Sequence, residues 1–136
     1  DWSSDVCSSD LDGVTATITL PNVTTTLTGT GSTQTYTAPQ RGTVTTDNDL
    51  SFDMNVTNNF KCTPTATGAL TFTNITAGQS GYVLLVNSGG YAITAAATTK
   101  VGATFLSTVS AAGTYLISYF SPDGTSVYCT ASGALS

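Results

Sequence analysis

The sequence predicts an all-β protein, an antiparallel β-sandwich of jelly-roll-like form with about 8–10 short strands. Three observations carry that expectation. Threonine supplies 29 of the 136 residues and alternates with apolar residues, a period-2 pattern suited to a pleated, half-buried surface. Gly, Asn, Asp, Ser and Pro interrupt the pattern at intervals of roughly ten residues. No stretch joins a helical apolar period to helix caps. Residues 91–101 come nearest, but they are rich in Ala and Thr, and β-branched Thr with its stiff χ1 resists the helix.

Taken in order, the first eleven residues, DWSSDVCSSDL, read as a translated sequencing-library adapter and are set apart as non-native. Such a scar points to a gene assembled from bulk environmental DNA, with its own N-terminus further upstream. Residues 12–39 form a Thr-rich segment of N-terminal strands or an assembly stalk. Its clearest strand is residues 14–20, with Val14, Ala16, Ile18 and Leu20 on one face and threonines on the other. Pro21 ends it. Residues 24–37 are almost pure Thr, Gly and Ser, fit for weak edge strands or an extended lead-in.

Residues 40–136 form the β-sandwich domain. Residues 42–46 make a short strand, and Asp47-Asn48-Asp49 a turn. Residues 50–56 alternate, with Leu50, Phe52, Met54 and Val56 inward. Asn58-Asn59 turns into a strand over 60–63, stopped by Pro64. Residues 69–75 carry Leu70 and Phe72 inward. Residues 82–86, YVLLV, are a continuous apolar run, which predicts a central strand covered on both faces. Residues 87–90 read as a hairpin turn, with 91–96 the returning strand. Residues 104–109 read as a further strand. Residues 114–120, TYLISYF, are again apolar on both faces. In Pro122-Asp123-Gly124 proline presets φ and glycine supplies the positive φ of a turn, and residues 126–131 complete the hairpin.

Residues 12–136 hold five aspartates, no glutamate, no histidine, two lysines and one arginine, a net charge of −2. That is no nucleic-acid footprint, and it argues against an anionic membrane surface. No apolar run approaches the ~20 residues of a membrane helix. A Ser, Thr or Cys nucleophile lacks a histidine base. Lys61 and Lys100 sit in Thr/Asn-rich stretches, read as turns, without Ser-x-x-Lys spacing. Asp47, Asp49 and Asp53 read as turn formers and solubilising charge rather than a glycosidase pair. Asp47-Asn48-Asp49 lacks the glycine and bidentate acid of an EF-hand loop. The sequence therefore assigns no catalytic, cofactor-binding or metal-binding residue, and no cofactor.

Cys62 and Cys129 share strand parity with Phe60 and Val127, so both point inward. They read as buried thiols, with a disulfide between the two strands as the alternative; a metal site has no further ligands to complete it. Asn22, Asn55 and Asn74 head Asn-x-Thr sequons, which arise by chance in so Thr-rich a chain. Tyr82, Tyr91, Tyr115, Tyr119 and Tyr128 read as core or interface residues, with a sugar-stacking surface as the alternative.

From residue 40 onward the phrases QRGTV, NNF, LTFTNI, GQSGYVLLV and TYLISYFSPDGTSVYCTASGAL follow one another. Their order and spacing resemble a β-sandwich module found in the C-terminal parts of tailed-phage tail fibres and in some virion surface proteins of marine phages. Asn74 followed by Ala77-Gly78-Gln79-Ser80-Gly81 is the most telling part. Residues 95–99 depart from the pattern, with small residues where related modules often carry Trp-Pro. The resemblance implies a non-enzymatic virion structural protein, a tail fibre or appendage module that works by assembly and by contact with a host-surface glycan. Its partners would be other virion proteins and copies of itself. A capsid decoration (cement) protein is the alternative within the virion, and a bacterial surface adhesin or carbohydrate-binding module the alternative outside it. The uncharged Thr-rich strands near the N-terminus lack the Lys and Pro that guard exposed edges, which points to a homo-oligomer, a trimer, or a contact with a neighbouring virion protein.

Overall fold

The computed structural model describes Pro39 and residues 41–136. The expectations for residues 1–38, including the strand over 14–20 and the sequon at Asn22, lie outside the described residues. The described strands all belong to the unit Gln40–Ser136. They are β1 (Val44–Thr46), β2 (Ser51–Asp53), β3 (Asn59–Cys62), β4 (Gly68–Thr73), β5 (Ser80–Asn87), β6 (Ile93–Ala95), β7 (Thr99–Val101), β8 (Gly113–Phe120) and β9 (Val127–Ala131), with one short helix, α1 (Phe105–Ser110), between β7 and β8.

The strands form a six-stranded sheet, ordered β1-β3-β5-β8-β9-β7, and a three-stranded sheet, ordered β2-β4-β6. From β1 to β6 the chain alternates between the two sheets. Each strand therefore runs parallel to the one two before it, β1 with β3 and β3 with β5 in the larger sheet, β2 with β4 and β4 with β6 in the smaller. β7 adds parallel to β9. Only β5–β8 and β8–β9 pair antiparallel.

The sheet-rich class is as the sequence predicts, but the antiparallel pairing is corrected to a mixed larger sheet and a parallel smaller one. The physical reason lies in the turns. Asp49 Oδ1 accepts the Ser51 N–H at 2.8 Å, a local closure that reverses the chain but does not say which sheet the next strand joins. After Asn87 the chain likewise crosses to β6 beside β4, so the hairpin read over 87–90 is not formed. The Pro122-Asp123-Gly124 turn is a hairpin. Gly124 sits at φ +73°, and Asp123 Oδ1 accepts the N–H groups of Thr125 and Ser126, both at 2.8 Å.

Inward residues of both sheets share one core: Phe52, Leu70, Phe72 and Ile93 from the smaller, and Phe60, Cys62, Val83, Leu85, Tyr115, Ile117, Tyr119, Val127 and Cys129 from the larger. The Phe52 ring lies 5.0 Å from Phe60 and 5.5 Å from Phe72, and Phe72 lies 4.8 Å from Tyr119. These tilted rings lock one sheet onto the other. The Thr99 hydroxyl adds a buried hydrogen bond to the Leu70 carbonyl at 2.9 Å.

Two segments differ from their sequence reading. The strand over 50–56 stops at Asp53. The Asp53 carboxylate accepts the Asn55 N–H, and its carbonyl accepts the Val56 N–H, so the chain winds into a turn. Leu50, Phe52 and Met54 stay buried as read, while Val56 faces out, 60 % exposed. Residues 104–109 are helical rather than extended. Phe105 and Val109, four apart, both reach the core from α1, and the Ser107 and Thr108 hydroxyls donate to the Thr104 carbonyl. Over so few residues, positions 105 and 109 satisfy a period of two as well as one of 3.6.

Cys62 and Cys129 are buried and unpaired. β3 and β9 stand three positions apart in the sheet, about 14 Å at the usual strand spacing, well beyond the roughly 7 Å that a disulfide spans. The disulfide alternative is thereby removed. Burial pushes Cys62 up to about 11 and Cys129 up to about 12, and it pushes the Tyr119 hydroxyl up to about 12. The unfolded chain releases these protons near their ordinary values of 9 for thiols and 10 for tyrosine, whereas the folded chain keeps them. Stability is therefore whole below about pH 9 and falls as pH rises toward 11–12, because the unfolded state then binds fewer protons. A melting temperature followed by circular dichroism should drop across that window, and a thiol reagent at pH 8 should label Cys62 and Cys129 only after urea is added. A melting temperature that stays level from pH 8 to 11 would contradict this.

Candidate functional site

Acidic and amide side chains in the described residues are mostly spent on local structure. Asn48 Oδ1 accepts the Thr63 N–H at 2.8 Å, and Asp49 caps Ser51. Burial, then a hydrogen bond and the charge of Asp49, raise the Asp47 carboxyl above its ordinary value. The Asn74 amide, then the Asn55 N–H, hold Asp53 below its ordinary value, and the Ser126 and Thr125 N–H groups do the same for Asp123. Among the described residues no three His, Cys, Asp or Glu side chains gather as a metal site would need. Lys61 lies in β3, the strand read over 60–63, and Lys100 lies in β7, not in a turn. The Asn74 sequon amide is held by Asp53 at 2.8 Å.

The Ala77–Gly81 phrase is a structural clamp. Gly78, at φ +82°, donates its N–H to the Ser121 carbonyl at 2.7 Å. The Gln79 amide donates to the Met54 carbonyl at 2.6 Å and to Asn58 Oδ1 at 2.7 Å. A side chain at Gly81 would overlap the Asn58 carbonyl oxygen. That oxygen instead accepts the Tyr82 N–H at 3.0 Å and the Tyr119 hydroxyl at 2.8 Å. The clamp fixes the start of β5, and with it the direction in which Tyr82 leaves the sheet.

The tyrosines divide. Tyr115 and Tyr119 are core residues, their hydroxyls satisfied by the carbonyls of Ala111 and Asn58. Tyr82 and Tyr128 lie on the outer face of the six-stranded sheet, 53 % and 52 % exposed, with Phe120 at 47 %, Leu116 at 41 % and Val44 at 63 %. The expectation that residues 82–86 and 114–120 are covered on both faces is thus corrected. Val83, Leu85, Tyr115, Ile117 and Tyr119 face the core, while the intervening residues face away from it.

Strand register makes this outer face continuous. Leu84 opposes Leu116 and Ser80 opposes Phe120 across β5–β8, and Phe120 opposes Tyr128 across β8–β9. A groove of about 380 Å³ runs between Val44, Lys61, Tyr82, Leu84 and Leu116. Ser118 and Thr130, within the patch, hydrogen-bond each other at 2.8 Å. No carboxylate occurs in any strand of this sheet. Its two cations, Lys61 and Lys100, lie in β3 and in the edge strand β7, on either side of the central β5–β8–β9 region. The sequence marked Tyr82 and Tyr128 but missed Leu116, Phe120 and Val44 as surface residues. The signal was present as two-sided apolarity, which reads equally as two covered faces. The arrangement offers an apolar, aromatic area that a partner can dehydrate. Comparison with models of known protein families, with curated proteins and with solved structures found no match to this chain.

Proposed function

We propose that the chain is a non-enzymatic virion structural protein, a tail-fibre or appendage module of a tailed phage built as a two-layered β-sandwich. The observation that supports this reading best is the outer face of the larger sheet, where Tyr82, Leu116, Phe120 and Tyr128 stand about half exposed side by side. A contiguous apolar patch of that kind marks an interaction surface. The body beneath it suits a rigid building block: within the described residues no buried side-chain polar atom lacks a hydrogen-bond partner. Capsid decoration would use the same surface and is the alternative position in the particle. A surface adhesin or carbohydrate-binding module is a second reading, favoured by three exposed aromatic side chains, Tyr82, Phe120 and Tyr128, on one sheet face. Mass spectrometry of phage particles purified from the source community tests the main reading. Peptides of this chain should copurify with capsid and tail proteins, and their recovery only in cell fractions would overturn it.

A further inference from the structure

We infer that the outer face of the six-stranded sheet docks on the same face of a second copy of this chain. This deepens the assembly reading and rests on it only in holding that the protein works through its surfaces. Area is the first argument. Tyr82, Phe120, Tyr128, Leu116 and Val44 leave between 41 % and 63 % of their surfaces uncovered, on the order of 500 Å² for side chains of this size. Two such faces in register remove on the order of 1,000 Å² of apolar surface from water, and the flanking hydroxyls and lysine stems bring the total into the range of a specific interface, above about 1,200 Å².

Polar satisfaction is the second argument. The Ser118 and Thr130 hydroxyls already bond each other, and the strand backbones beneath are paired in the ladder. Dehydrating the centre of the face therefore strands few donors or acceptors. Charge is the third. The β5–β8–β9 centre carries none; Lys61 lines the groove between Val44 and Leu84, Lys100 stands opposite Tyr128, and no carboxylate in the sheet's strands holds either ammonium, so their apolar stems pack while the charges reach water. Sheets stack face to face about 10 Å apart with their side chains interdigitating, and the ridge of Phe120 and Tyr128 beside the Val44–Leu116 groove supplies both a knob and a hole. A two-fold pairing uses each once per copy and closes on itself.

Sedimentation equilibrium of the full chain, from about 1 to 200 µM, tests the inference. The expected result is a reversible dimer. Leu116→Arg and Tyr128→Arg should each weaken it at least ~30-fold, the loss expected of an apolar anchor at an interface centre, roughly 2 kcal/mol. Both side chains lie outside the core, so the variants should keep the wild-type circular dichroism and urea midpoint. Hydroxyl-radical footprinting should find Tyr82 and Tyr128 protected in the dimer and reactive in Leu116→Arg. A wild-type chain that stays monomeric at 200 µM overturns the inference, as does a dimer indifferent to both substitutions. Tyr82 protected in a strict monomer overturns it too, and gives the face to another segment of the same chain. Retention of the monomeric wild-type chain on immobilised polysaccharide, lost in Tyr128→Arg, overturns it in favour of a glycan. None of these outcomes bears on whether the chain is found in particles, so the two readings fail separately.

Discussion

Phe52→Ala is expected to lower the free energy of unfolding by about 3–5 kcal/mol, the usual cost of truncating a buried phenylalanine. Phe52 is fully buried, and its ring touches Phe60 of the other sheet and Phe72 of its own. Removing it leaves a cavity between layers whose walls, Phe60 and Phe72, belong to separate sheets, so the site closes poorly. For a domain of this size that loss is a large share of total stability. Phe52→Leu keeps most of the volume and should cost markedly less. Urea unfolding followed by circular dichroism gives both numbers. A loss below about 1 kcal/mol for Phe52→Ala would show that the layers do not depend on this ring.

Asn87→Leu is expected to cost about 2–4 kcal/mol despite adding apolar bulk at a buried position, because buried partners left unpaired carry their full desolvation penalty. Asn87 is completely buried. Its amide donates to the carbonyls of Tyr91 and Val109, each at 2.9 Å, and its oxygen accepts the Tyr91 N–H at 2.9 Å. One side chain thus joins the end of β5, the crossing to β6 and the end of α1. Asn87→Asp makes a sharper test. It keeps the acceptor for Tyr91 but turns a carboxylate oxygen toward two carbonyls. The variant should be weakest near pH 7 and regain stability as pH falls, since protonation restores one donor. If Asn87→Asp is no more stable at pH 4 than at pH 7, measured against wild type, the network does not work in this way.

How far the fold was legible follows from which signals are local. The inward set Leu50, Phe52, Phe60, Leu70 and Phe72 follows from side-chain alternation, which depends only on neighbours in sequence, whereas Val83, Leu85 and Ile117 lie in runs read as covered on both faces. The β8–β9 hairpin was readable because proline and glycine fix its turn locally. Strand partners were not. Asp47-Asn48-Asp49 and Asn87–Gly90 carry turn chemistry that serves a step between sheets as well as a step within one. The helix α1 was hidden by its brevity, and Lys100 was misplaced because Thr-rich neighbours look alike in strand and loop. The exposed face was half legible: the apolarity of Leu84, Leu116 and Phe120 is in the sequence, but only strand order shows that nothing among the described residues lies over it.

The winding of the chain has a consequence for its biosynthesis. As the polypeptide leaves the ribosome, each of the strands β3 to β6 finds its parallel neighbour already made. β7 does not. Its mate is β9, and β9 in turn needs β8 laid along β5. A nascent chain halted after Val101 thus holds an orphaned ribbon and an open β5 margin, both inviting adhesion to other unfinished chains. Closure is left to the β8–β9 hairpin, and a premature stop between Val101 and Ala131 should yield inclusion bodies rather than a smaller soluble product.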